Sequence, residues 1–136
     1  MTAPLLDIRD LTVEFSRGGR AARALDRVSF SIEPGEHVGL VGESGSGKSV
    51  LALALMGLLR AGGTAVSGSA LFDGTDLLHA SRSTLTRLRG ARIGLIPQDA
   101  SLALNPVLTV GDQLLEVIAR HTRLRGAAAR SRAAEV

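Results

Sequence analysis

Apolar and polar residues alternate through residues 5–15, with Leu6, Ile8, Leu11, Val13 and Phe15 on one face and a slip of the alternation at Arg9-Asp10. The pattern predicts a half-buried strand carrying a bulge at the slip. Alternation resumes through Leu25, Val28, Phe30 and Ile32 after the turn-rich stretch 16–23, so residues 5–32 read as an antiparallel hairpin. Glu33-Pro34-Gly35-Glu36 has proline second and glycine third, which suits a type II turn. Two runs lack alternation: 37–41 and 92–96 are almost wholly apolar and read as short parallel strands buried on both faces. Residues 50–59 predict a helix ended by Arg60 and the glycines 62 and 63. Residues 66–73 predict a strand closed by the turn dipeptide Asp73-Gly74.

Further along, Ser81 can cap a short helix running to Arg89, with Gly90 as its stop. Pro97 ends the 92–96 run, because it cannot donate into a ladder and holds Ile96 extended. After an irregular loop over 98–106, Thr109 or Gly111 opens a helix to about residue 124, with Val110, Leu114, Leu115, Val117 and Ile118 mostly on one face. The alanine- and arginine-rich residues from Gly126 onward predict a further helix.

Between the run 37–41 and the helix 50–59 stands Gly42-Glu43-Ser44-Gly45-Ser46-Gly47-Lys48-Ser49. It satisfies Gly-x-x-x-x-Gly-Lys-[Ser/Thr], the phosphate-cradling loop. Glycines let the turn take positive φ and bring backbone N–H groups inward with no Cβ in the way. The loop then delivers an anion to a helix N-terminus, where unpaired N–H groups and the helix dipole favour it. Lys48 is suited to the β- and γ-phosphates, and the Ser49 hydroxyl to Mg²⁺. Of 16 basic residues, Lys48 is the single lysine. Where any surface cation would serve, the sequence has arginine; here it keeps the compact ammonium that meets phosphate as a point charge.

Composition narrows the alternatives. The chain has 136 residues, 45% apolar and 21% charged, ordinary material for one globular domain. Its aromatics are only Phe15, Phe30 and Phe72, too few for the stacking platforms of a single-strand nucleic-acid binder. A net charge of +3 does not demand a polyanionic partner, and no nucleic acid is expected. There is no cysteine, hence neither a disulfide framework nor thiolate chemistry. His37, His79 and His121 share no metal-ligand spacing, and the arginines 120, 123, 125, 130 and 132 read as a solvated helical face. The N-terminus lacks a signal-peptide pattern. The apolar run 50–59 is half the length of about 20 residues that a membrane span needs.

Taken together, the hairpin, the phosphate loop, a second core run ending at Gln98 and the helical segment after it resemble the ATP-binding subunits of ABC transporters. Gly42-Glu-Ser-Gly-Ser-Gly-Lys-Ser-Val50 and Leu104-Asn-Pro-Val-Leu-Thr-Val-Gly-Asp-Gln113 are similar to the peptide and nickel importer branch, the dipeptide and oligopeptide permease ATPases. The resemblance implies an α/β P-loop NTPase fold of the ABC type. Its parts would be an N-terminal antiparallel β subdomain at about 5–32, an incomplete RecA-like core at about 37–96, and the start of a helical subdomain at about 97–136. It also implies ATP and Mg²⁺ as cofactors, with Gly42, Glu43, Ser44, Gly45, Ser46, Gly47, Lys48, Ser49 and Val50 around the phosphates. Gln98 matches the glutamine that approaches Mg²⁺ and the attacking water, and Phe15 matches the aromatic that stacks on adenine. The implied partners are a second ATP-binding subunit, the same or different, and membrane permease subunits met through the loop after Gln98. The implied location is the cytoplasmic face of the cell membrane. The family's usual phenylalanine before this glutamine and proline two residues after it are here Pro97 and Ala100.

The family's signature motif Leu-Ser-Gly-Gly-Gln, its Walker B strand ending in Asp-Glu and its switch histidine are absent from these residues. Phosphoryl transfer depends on such positioning groups. The expectation is therefore an N-terminal part of a longer ATPase, little active alone. Two alternatives from other classes are a soluble ABC ATPase of DNA repair or translation, and a nucleotide-binding fragment without turnover.

Overall fold

In a computed structural model, residues 3–59, 64–99 and 103–136 are described. The chain divides into two compact units, residues 1–89 and 90–136.

The first unit is built on a four-stranded antiparallel sheet of order β2-β1-β3-β4, with β1 Leu6–Arg17, β2 Arg20–Ile32, β3 Thr64–Phe72 and β4 Thr75–Asp76. The hairpin predicted over 5–32 forms, and its turn is tighter than the stretch 16–23 suggests. Arg17 pairs with Arg20 across Gly18-Gly19, whose φ angles of 58° and 78° are those of a two-residue type I′ turn matched to strand twist. The expected bulge is present too. Register shifts between Ile8 and Leu11 against β2 and between Arg9 and Thr12 against β3, with Asp10 at φ 49°. The extra residue keeps Ile8, Leu11 and Val13 on one buried face, which strict alternation would have split. Two hydroxyls hold the irregular stretch: Asp10 N–H donates to Ser29 Oγ at 2.8 Å and Arg27 N–H to Thr12 Oγ1 at 3.0 Å. On the other side Gly68 is obligatory, since a Cβ there would lie 2.6 Å from the carbonyl oxygens of Arg9 and Asp10.

Asp73 and Gly74, at φ 46° and 76°, turn β3 into β4, with Phe72 opposite Thr75. The Glu33–Glu36 turn closes as predicted, Glu36 N–H donating to Glu33 O at 3.1 Å, with Gly35 at φ 80°. Helix α1 spans Lys48–Leu55, shorter than the predicted 50–59. Its end comes at Met56 and at Gly57, whose φ of 60° leaves the helical region. The expected stop at 60–63 lies outside the described residues. Arg89 closes this end instead, its Nε donating to Met56 O at 2.8 Å and Nη2 to Gly57 O at 3.0 Å, a cation on helix-terminal carbonyls. Helix α2, Arg82–Leu88, starts at Ser81, which accepts from Thr84 N–H at 3.2 Å. Ile8, Leu11, Val13, Leu25, Leu51, Ala54, Met56, Ala70 and Leu77 form the core of this unit.

Two expectations fail. Residues 37–41 and 92–96 are not strands, and Val41 and Ile96 are 91% and 95% exposed. A parallel strand is stabilised only by neighbours that take up its N–H and C=O groups and cover both faces. The sheet among the described residues is wholly antiparallel and supplies neither.

The second unit consists of an irregular stretch to residue 109, α3 at Val110–His121 and α4 at Gly126–Ala134. Thr109 caps α3 by accepting from Asp112 N–H at 3.1 Å. Helix α3 ends at His121 rather than near 124, and α4 packs on it with Ile118 and Ala129 buried.

Candidate phosphate-binding site

The site is local to residues 42–50. Gly45 and Gly47 take φ of 83° and 94°, curling the loop back before the chain enters α1 at Lys48. Ser46 N–H donates to Glu43 O at 3.2 Å, and Leu51 N–H makes the first helical bond to Gly47 O at 2.9 Å. The N–H groups of Lys48, Ser49 and Val50 precede that bond and have no carbonyl four residues back within the helix. Gly47 has no side chain with which to cap them, and the first turn carries no acidic residue. The helix therefore offers uncompensated donors and its positive dipole end at one spot.

Lys48 is half-buried, and its ammonium bends over the loop. Nζ donates to Gly42 O at 2.7 Å, Glu43 O at 2.6 Å and Ser46 Oγ at 3.1 Å. Three contacts, none of them to a carboxylate, hold the only lysine of the chain as the rim of the loop. Such a charge is available to an incoming anion without first breaking an ion pair.

Beside the loop a pocket of about 180 Å³ is lined by Leu25, Val28, Leu40, Val41 and Leu51 together with Gly42, Ser46, Gly47 and Lys48. Sequence reading did not anticipate these apolar liners, because strand β2 and the 40–41 segment meet only in the fold. Nor did it anticipate why Gly47 is needed twice: a Cβ there would lie 2.7 Å from Ala24 O and Leu25 Cδ2. The loop is seated directly against β2.

Residues 42–50 are thus brought together, with Glu43, Ser44, Gly45 and Ser49 exposed and Val50 half-buried. Phe15 is half-buried on β1, opposite Ala22 and Thr64, and is not among the pocket residues. Gln98 lies in the second unit on the exposed stretch after Pro97. Ala100 and the rest of 100–102 lie outside the described residues. No group of three or more His, Asp or Glu side chains able to hold a metal occurs among the described residues. The Ser49 hydroxyl, exposed in the first turn of α1, is an oxygen donor of the kind Mg²⁺ takes.

An antiparallel β subdomain followed by a glycine-rich loop that opens a helix on Lys-Ser defines a P-loop nucleotide-binding domain. The family profile for ABC transporters matches residues 25–136, and the chain belongs to that family. It is 44% identical over 135 residues to a putative peptide import ATP-binding protein of Brucella abortus, covering 99% of this chain and 41% of that protein. It is 45% identical over 125 residues to the oligopeptide transport ATP-binding protein OppD of Escherichia coli, covering 92% and 37%. The chain thus spans about two fifths of the length of these two relatives. Among solved structures, the dimeric ATP-binding cassette MJ0796 in a post-hydrolysis state bound to ADP and Pi is similar at a TM-score of 0.79 and 26% identity. That likeness covers 96% of this chain and 54% of the other. No helix among the described residues is long and apolar enough to cross a membrane.

Proposed function

We propose that the chain is the N-terminal part of the ATP-binding subunit of an ABC importer for peptides, working at the cytoplasmic face of the membrane. The observation that carries this reading is the loop 42–49, with Lys48 held over it and the uncapped start of α1 behind it. The names of the peptide-import relatives support the cargo class. In this reading the N–H groups of the loop and of Lys48, Ser49 and Val50 bind the nucleotide's phosphates. The Lys48 ammonium meets the β- and γ-phosphates, and the Ser49 hydroxyl ligates Mg²⁺. Bound ATP with Mg²⁺ supplies the phosphoryl group whose transfer to water drives transport. By the resemblance, Gln98 would orient the attacking water and Phe15 would stack on adenine. A second ATP-binding subunit completes the site, and the loop after Gln98 meets the permease.

The test is in two stages. The chain is titrated with ATP and Mg²⁺, and the parent subunit is assayed for ATP turnover with and without its permease and peptide. Binding that needs Lys48, and turnover that rises with permease and peptide, are expected. Turnover raised by nucleic acid and indifferent to permease would point to the soluble class instead and end this proposal. For Phe15, Phe15→Ala is expected to weaken ATP while leaving inorganic triphosphate binding unchanged.

A further inference from the structure

The donors of the Lys48 ammonium are all taken. An ammonium has three N–H groups and no lone pair, and Nζ gives them to Gly42 O at 2.7 Å, Glu43 O at 2.6 Å and Ser46 Oγ at 3.1 Å. A phosphate oxygen can therefore bind Nζ only by taking the place of one of these acceptors. Two are backbone carbonyls of the loop, and Glu43 O is also held by Ser46 N–H at 3.2 Å. The third is the hydroxyl of an exposed side chain and makes the longest of the three contacts. It leaves by rotation about χ1 between staggered positions, with no movement of the backbone. Of the three acceptors, Ser46 Oγ is the one the geometry releases.

The loop makes room for that hydroxyl. A Cβ at Gly42 would lie 2.7 Å from Ser46 Oγ and 3.9 Å from Nζ, and Gly42 has no left-handed φ. Glycine at 42 thus supplies space for Oγ beside the ammonium and not backbone freedom. We propose that Ser46 is a positioning residue whose hydroxyl holds the third donor of Lys48 and gives it up to phosphate, so that this one contact sets part of the loop's affinity for its anion. This rests on the reading above that residues 42–49 bind a nucleotide's phosphates. A contact made only while the anion is away opposes its binding by what that contact contributes, which for one hydrogen bond is about 2- to 10-fold in affinity.

The experiment compares the wild-type chain, kept dilute, with Ser46→Ala, Ser46→Thr, Gly42→Ala and the double variant Ser46→Ala with Gly42→Ala. Lys48 is the single lysine, so the rate at which acetic anhydride acetylates it without nucleotide is read on one peptide by mass spectrometry. Dissociation constants are measured in parallel for ATP and for inorganic triphosphate, each with Mg²⁺. Ser46→Ala should acetylate about 2- to 10-fold faster and bind ATP and triphosphate tighter by the same factor. Ser46→Thr keeps a hydroxyl and should return both readouts toward wild type. Gly42→Ala puts a methyl where the hydroxyl sits, so it should speed acetylation as Ser46→Ala does and add nothing to it in the double variant. Weaker binding by Ser46→Ala would show that the hydroxyl serves the bound state, and unchanged acetylation that it does not hold Lys48; either overturns the proposal. If the wild-type chain binds both ligands and Ser46→Ala gains nothing, the phosphate reading stands and this proposal alone fails. If the wild-type chain binds neither, the phosphate reading fails and this proposal falls with it.

Discussion

Alanine at Gly47 and at Gly45 should differ in a way that only the fold explains. Both glycines have positive φ, 94° and 83°, and an L side chain in that region costs roughly 1–2 kcal/mol. At Gly45 nothing lies within 4 Å of the new Cβ, so strain is the whole cost. At Gly47 the methyl would stand 2.7 Å from Leu25 Cδ2 and from Ala24 O. Leu25 can rotate, but the Ala24 carbonyl belongs to β2 and yields only if loop and strand part, an overpacking cost of about 1–3 kcal/mol more. For a unit of this size 1 kcal/mol moves the melting temperature by about 4–8 °C. Gly47→Ala should therefore melt at least about 4 °C below Gly45→Ala and lose more ATP affinity, because α1 shifts with the loop. Circular dichroism melts and a nucleotide titration on both variants measure this. Coincident melting curves would refute the seating of the loop against β2.

Lys48→Ala removes the sole ammonium at the loop and should weaken ATP by about 2 kcal/mol, roughly 30-fold, which calorimetric titration would detect. Arg89→Ala uncovers the Met56 and Gly57 carbonyls and should cost about 1–2 kcal/mol in denaturant unfolding, whereas an unchanged midpoint would remove Arg89 from the account of α1. At Asp76, burial disfavours the charged carboxylate. The His79 ring at 2.9 Å and the N–H groups of Ala70 and Leu78 outweigh it and hold the carboxyl below its ordinary value of 3.8. A lowered folded value means the carboxylate stabilises fully above pH 3.8 and loses that contribution as pH falls through the folded value. Asp76→Asn should therefore flatten the acid limb of stability below about pH 3.8, read by melts across pH. Val41, Ile96 and Val107 are exposed, so the isolated chain should self-associate in light scattering; a monodisperse monomer with a sharp melt would count against this.

Much of the fold was legible because its signals are local. The β1 alternation and its slip at Arg9-Asp10 prescribe a strand with one extra residue, and Ser81 and Thr109 cap helices with their own side chains. The turns are legible for the same reason, since Pro34-Gly35 and Asp73-Gly74 carry turn chemistry within adjacent residues. The runs 37–41 and 92–96 misled because an apolar run states only a preference for burial, and whether it becomes a strand depends on partners elsewhere.

By itself, then, the sequence determined the phosphate loop, the caps and the turns, whose geometry is set within a few residues by φ preferences and side-chain donors. Only the tertiary structure decided that Gly47 must clear the Ala24 carbonyl, that Gly68 must admit the bulge, and that Arg89 closes α1. Those constraints join residues far apart in the chain, and steric exclusion and hydrogen-bond reach exist only once the backbone has brought them together.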